Sequence, residues 1–159
     1  MRRPRRVLLL FPDKRAVFVE LGTATYRDAV DTATSFTDST TTASLAGITG
    51  RIQQYFSYLD RHGAYLIRSA EDATDDAEFL AAVRVLQTRI AALLGEEICR
   101  LANKPVGAAA GIGLAITAMM ERTWFLTHVG SYPLRRNEAV SAIASLLFAL
   151  IGAPASDRK

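Results

Sequence analysis

Two charge-free stretches in the last third of this 159-residue chain limit its fold more than any other feature. Val106–Met120 reads VGAAAGIGLAITAMM, and Ala139–Ser156 is equally free of charge. A helix that is apolar on every side must be enclosed by protein or by lipid. One domain of this length does not easily surround two such helices. Ala108, Ala109, Ala110, Gly111 and Gly113 permit close backbone approach. The soluble solution is for both helices, about 108–129 and 137–151, to pack against a second copy across a two-fold axis, as a four-helix homodimer interface. The competing solution is a small membrane protein with a C-terminal helical hairpin. A span needs about 20 apolar residues. The first run stops at Glu121-Arg122, and the second contains Ser141, Ser145, Gly152 and Pro154. The soluble dimer is the preferred expectation, with no membrane partner.

The rest of the chain also reads as all-α, with no alternating strand pattern and no internal repeat. A first helix is expected from Asp13, after Pro12, with Phe18, Leu21, Thr25 and Ala29 at helical spacing. The Ser/Thr-rich stretch Ser35–Gly47 reads as a loop whose Ser or Thr caps the next helix. That helix carries Ile48, Ile52, Tyr55, Phe56 and Leu59 on one stripe and is expected to stop at Gly63 in "DRHG". Ala64–Ala70 then reads as a separate short helix, broken by Asp72–Glu78, where Asp75 and Glu78 have capping-box spacing. A long helix follows with Phe79, Val83, Leu86, Ile90, Leu93, Glu97 and Leu101 in steps of three or four, and "NKPVG" ends it.

Charge and reactive residues exclude several functions. The formal charge is +3, from 19 basic and 16 acidic residues. Setting aside Arg2, Arg3, Arg5 and Arg6 leaves 15 against 16, or −1, so the folded body has no net attraction for phosphate. One cysteine, Cys99, rules out an intrachain disulfide and fits a reducing, cytoplasmic setting. Val7–Phe11 is too short for the apolar core of a secretion signal. His62 and His128 fall on different elements and read as helix-end surface residues. No H-E-x-x-H, C-x-x-C or G-x-S-x-G occurs, and "GAAAGIG" lacks the strand and the Lys-Ser/Thr of a phosphate loop. The expectation is therefore a non-enzyme without metal or cofactor.

"FPDKRAVFVEL" (Phe11–Leu21) resembles the junction in TetR-family transcriptional regulators where an F-x-[SDN]-K turn starts the helix joining the DNA-binding domain to the sensor domain. Phe11–Gly152 as a whole resembles that family's C-terminal ligand-binding and dimerisation domain. "LAITAMMERTWF" (Leu114–Phe125) and "IASLLFALIG" (Ile143–Gly152) are most similar to the EthR-like branch. The resemblance implies an all-α, TetR-type sensor of antiparallel helices at 11–152. It is preceded by a remnant or aberrant segment at 1–10 and followed by a disordered tail at 153–159. In the family, a helix-turn-helix precedes the junction. Here only "MRRPRRVLLL" stands there, so the chain is expected to lack most of the DNA-reading head. DNA is a partner only if an upstream helix-turn-helix exists. A stand-alone or dominant-negative dimerisation and ligand-binding module is the alternative.

The resemblance also implies a pocket for a small, mostly apolar effector. Carried over by position, its lining is Ile48, Ile52, Tyr55, Phe56 and Leu59, then Val83, Gln87 and Ile90, then Thr117, Met120 and Trp124. Gln87, Thr117, the Tyr55 hydroxyl and the Trp124 N–H are its polar groups. The same residues serve equally well as ordinary core, which is what stripes of Ile, Leu, Met and Phe usually are. Glu121 and Arg122 interrupt an apolar helix and belong either at the pocket floor or dimer, or on a surface-facing turn.

Overall fold

Local capping signals set four of the helix ends in the computed structural model, which describes residues 13–36, 44–72 and 77–152. Five α-helices run in order: α1 Lys14–Phe36, α2 Leu45–Asp72, α3 Ala77–Leu101, α4 Ala109–His128 and α5 Arg136–Gly152. A single 3-10 turn, Val106–Ala108, precedes α4. No strand occurs among the described residues. The Asp13 carboxylate accepts the Ala16 N–H at 2.8 Å and caps α1, and the Ser44 hydroxyl accepts the Gly47 N–H at 3.1 Å and caps α2. Glu138 reaches back to the Arg135 N–H at 2.9 Å, which is half of a capping box. At the end of α3, Asn103 adopts a left-handed backbone (φ 50°). The Lys104 N–H then bonds the Cys99 carbonyl and the Asn103 N–H bonds the Arg100 carbonyl, the Schellman pattern.

The segment 1–10, most of the Ser/Thr-rich loop, Asp75 of the expected capping box and the tail 153–159 lie outside the described residues.

One boundary differs from the sequence expectation. α2 runs through Gly63 without a break and absorbs the expected short helix at 64–70. Gly63 is there for close packing and not as a stop. A Cβ on it would overlap the six-membered ring of Trp124, whose Cζ2 stands 2.8 Å from that position. The indole of α4 thus packs directly against bare α2 backbone.

α2 is the spine of the bundle. It packs on α1, α4 and α5, while α3 packs along α4 and against α1. The core joins Ile52, Phe56 and Leu59 of α2 to Leu94 and Ile98 of α3, Ile116 and Met120 of α4, and Val140, Ile143 and Leu147 of α5. Ile52, Phe56 and Met120 are fully buried (0%). Asp60 ties three helices together. It accepts the Trp124 Nε1–H at 2.8 Å and bonds Arg136, with His128 3.7 Å away. Burial alone would raise the Asp60 pKa, but the Trp124 and Arg136 hydrogen bonds outweigh it and hold the carboxyl below the usual value. Arg136 is therefore a strut between α5 and α2. It also bonds the Ser57 hydroxyl at 3.2 Å.

The two apolar C-terminal helices are each covered on one face only. Ala109, Gly113, Ile116, Met120 and Trp124 of α4 are buried, as are Ala139, Val140, Ile143, Ala144, Leu147 and Ile151 of α5. Their other faces carry Ala110, Gly111, Leu114 and Ala118, and Ala142, Leu146, Phe148 and Ala149, all exposed. Leu114 and Leu146 are each 60% exposed. No helix among the described residues is long and apolar enough to cross a membrane.

Candidate functional site

Where α1, α2, α3 and α4 meet they leave a cavity of about 550 Å³, inside the size range of small-molecule sites. Its inner wall is buried: Thr25 and Ala29 from α1, Tyr55 and Tyr58 from α2. Its outer lining includes Val19 and Thr23 of α1 and Val85 and Arg89 of α3, all exposed, so the cavity reaches the surface between α1 and α3. Arg89 spans those two helices at the rim, donating to the Tyr26 hydroxyl at 3.1 Å.

Helical spacing explains the wall. Tyr55, Tyr58 and Tyr65 fall at steps of three and seven along α2 and so share a side of that helix. Gly22 lets α1 come close, since a Cβ there would stand 2.6 Å from the Tyr65 hydroxyl oxygen. Tyr65 in turn donates to the Phe18 carbonyl at 3.2 Å and its ring lies 5.8 Å from that of Phe18.

The polar groups of the cavity are few and unusually placed. Glu121 projects from α4 with its carboxylate accepting the Tyr55 hydroxyl at 3.2 Å. Among the described residues no cation pairs with it. Burial raises its pKa above the usual carboxylate value, against the Tyr55 hydrogen bond, which lowers it. Burial and the nearby Glu121 charge push the Tyr55 phenol far above its usual range, and the same two causes raise Tyr58. One turn before Glu121, the Thr117 Oγ1 is buried with no hydrogen-bond partner. Thr23, Thr32, Thr34, Thr49 and Thr127 all return their hydroxyls to the carbonyl four residues back, with donor–acceptor distances of 2.9, 2.7, 2.7, 2.7 and 2.9 Å. Thr117 does not.

The raised Glu121 pKa carries a stability prediction. The native state holds this proton more tightly than the unfolded chain, whose value is near 4.5. The associated stability is fully present below the unfolded value and is lost as pH rises through the folded one. Glu121→Gln removes the charge and keeps an acceptor for Tyr55. Its melting temperature should exceed the wild type by about 3 °C at pH 7.5, with the gap closing near pH 4. Thermal unfolding by circular dichroism at the two pH values checks this.

The residues carried over from the family resemblance divide in two. Tyr55, Val83, Gln87, Ile90 and Thr117 line the cavity. Ile48, Ile52, Phe56, Leu59, Met120 and Trp124 do not line it and sit in the packed core. The sequence reading missed the α1 wall altogether: Val19, Gly22, Thr23, Thr25, Tyr26 and Ala29. The row of tyrosines on α2 was the signal for where the cavity lies. Of the two charges that interrupt α4, Glu121 faces the cavity, whereas Arg122 is exposed, its guanidinium 5.3 Å from the Phe125 ring centroid.

The chain matches no known protein-family model, no curated protein and no solved structure.

His62, read as a helix-end surface residue, is built into the bundle, whereas His128 does stand exposed at a helix end. His62 lies inside α2, with Nδ1 3.1 Å from the Thr25 Oγ1 and Nε2 2.8 Å from the Asp28 Oδ2. The His62 hydrogen bond holds the Asp28 pKa down against desolvation, with Arg61 adding to it at 3.6 Å. The Thr-His-Asp order resembles a nucleophilic relay, but Thr25 stands inside a helix whose amides are committed to the i→i−4 ladder. The trio is a clasp between α1 and α2. His128 ends α4 stacked on Trp124 at 5.1 Å. Cys99 is fully buried, as a plain core residue. Among the described residues no three His, Cys, Asp or Glu side chains are grouped to hold a metal.

Proposed function

We propose that the chain is a ligand-sensing and dimerisation module of the TetR type, in which a small, mostly apolar effector occupies the cavity among α1–α4. The cavity itself carries this reading. Its lining is mostly apolar and aromatic, with Thr117, Glu121 and the Tyr55 hydroxyl on the α2 and α4 side and Thr23, Thr25, Gln87 and Arg89 on the α1 and α3 walls. That is the composition of a site that grips a greasy ligand and orients it by one polar end.

α1 is one wall of the cavity and is held to the bundle by discrete polar ties, His62 to Thr25 and Asp28, and Tyr65 to the Phe18 carbonyl. In a TetR-type protein this helix joins the sensor to the DNA-reading head. A ligand that prefers one position of α1 then biases the spacing of two heads in a dimer.

The exposed rows of α4 and α5 support self-association. They place Leu114, Leu146 and Phe148 beside Ala110, Gly111, Ala118, Ala142 and Ala149, so bulky and small side chains occur on the same surface. A two-fold axis sets each kind against the other, and no charge from 139 to 152 opposes the contact.

Sedimentation equilibrium should give a mass twice the 17.3 kDa of the chain. Leu146→Glu should give the monomer, because it buries a carboxylate in the interface. A thermal-shift screen of small apolar compounds should find stabilising ligands, with gains of about 3 kcal/mol at a hundredfold excess over Kd. A monomer that no compound stabilises would overturn the proposal.

A further inference from the structure

We infer that the cavity takes an organic cation: an amine or quaternary ammonium on an apolar or aromatic body, with its charged end against Glu121. The inference rests on the reading of the cavity as a ligand site and names the ligand class.

Three observations carry it. Glu121 places a carboxylate in the cavity wall, and its hydrogen bond among the described residues comes from the neutral Tyr55 hydroxyl. A partly buried carboxylate of this kind is costly until a counter-charge arrives. Secondly, aromatic rings surround the space: Tyr26, Tyr55, Tyr58, Tyr65 and Phe79. Ring faces attract an organic cation most strongly where water is excluded, and they tolerate the alkyl groups of an ammonium that a simple salt bridge would not. Thirdly, among the described residues the cationic side chain in the lining is Arg89, exposed at the rim and engaged with the Tyr26 hydroxyl. The carboxylate and the nearby guanidinium are thus at different depths. An anionic ligand would meet Glu121 at the inner end and be repelled. A neutral amide or ketone finds the Thr117 hydroxyl but leaves the carboxylate uncompensated.

Three matched probes test the charge preference on the wild-type chain: 4-phenylbutyl-trimethylammonium, N,N-dimethyl-5-phenylpentanamide and 5-phenylpentanoate. Isothermal titration at pH 8 should rank the ammonium first, about tenfold or more tighter than the amide, with no binding of the carboxylate. In Glu121→Gln the ammonium should lose about tenfold while the amide changes less than about twofold. The wild-type ranking decides the point independently of the variant. An amide that binds the wild type as tightly as the ammonium overturns the cation assignment and leaves the ligand cavity standing. An ammonium affinity unchanged in Glu121→Gln does the same. Binding by none of the three at millimolar concentration removes both the cation assignment and the ligand site.

Discussion

Gly113→Ala should lower stability by at least about 3 kcal/mol, or prevent folding. The reason lies in the crossing of α3 and α4, the most intimate helix pair in the bundle. A Cβ on Gly113 would overlap the Ala91 carbonyl oxygen and come within 2.6 Å of its carbon. A Cβ on Gly95 would likewise overlap the Ala109 carbonyl. Each glycine lies against the backbone of the facing helix, and backbone cannot swing aside as a side chain can. The methyl therefore forces the helices apart and opens the core around Leu94, Ile98 and Ile116. Gly50 is the control. It stands in α2 with nothing within 4 Å of its would-be Cβ. Gly50→Ala should stabilise by roughly 0.5–1 kcal/mol through helix propensity alone. Urea unfolding of the three chains measures both effects, and opposite signs for the two substitutions are required.

Glu97→Ala should cost roughly 3–5 kcal/mol. Glu97 is 4% exposed, on the side of α3 that meets α2. Its carboxylate accepts two bonds from Arg100, at 2.8 and 2.7 Å, and lies 3.8 Å from the Arg51 guanidinium. Arg51 is itself only 8% exposed. Removing the carboxylate takes its charge away from that buried guanidinium and its two acceptors away from Arg100, which is costlier than the loss of a surface pair. The ion pair as a unit is a different matter, because two desolvated charges offset much of their own attraction. Arg51→Leu with Glu97→Leu should accordingly recover most of the loss, and the double-mutant cycle gives the coupling.

The helices were legible in the sequence wherever a local signal marked them. Asp13, Ser44 and Asn103 each act within a few residues of their own position, by a cap or a left-handed turn. The break between α2 and α3 was announced by a run of acidic residues. The Gly63 error has the opposite origin. "DRHG" carries the composition of a helix end, but what decides its conformation is Trp124, sixty-one positions along the chain. His62 was misread for the same reason: its partners Thr25 and Asp28 lie on another helix. Glu97, placed by periodicity on an otherwise apolar stripe, was legible as an oddity and became intelligible only with Arg51 beside it.

The cavity was half legible. Stripe positions on α2, α3 and α4 are visible as periodicity, but periodicity does not distinguish residues that face a gap from residues that fill one. Ile52 and Tyr55 are three positions apart on the same helix and both buried, yet Tyr55 lines the cavity and Ile52 does not. Which is which depends on the rotation of α2 between α1 and α5, fixed by the packing of all five helices. Thr25 and Ala29 stood on the helical stripe of α1, but the other cavity residues of that helix, Gly22, Thr23 and Tyr26 among them, form no apolar stripe that would mark it as a wall.

The most direct test of the account is where a ligand sits. Intermolecular nuclear Overhauser effects between 4-phenylbutyl-trimethylammonium and the methyl-labelled chain should connect the probe to Val83, Leu86, Ile90 and Thr117, which line the cavity. They should be absent for Ile52, Leu59 and Ile143 in the packed core. Contacts confined to Leu114 and Leu146 on the exposed α4 and α5 faces would contradict the account.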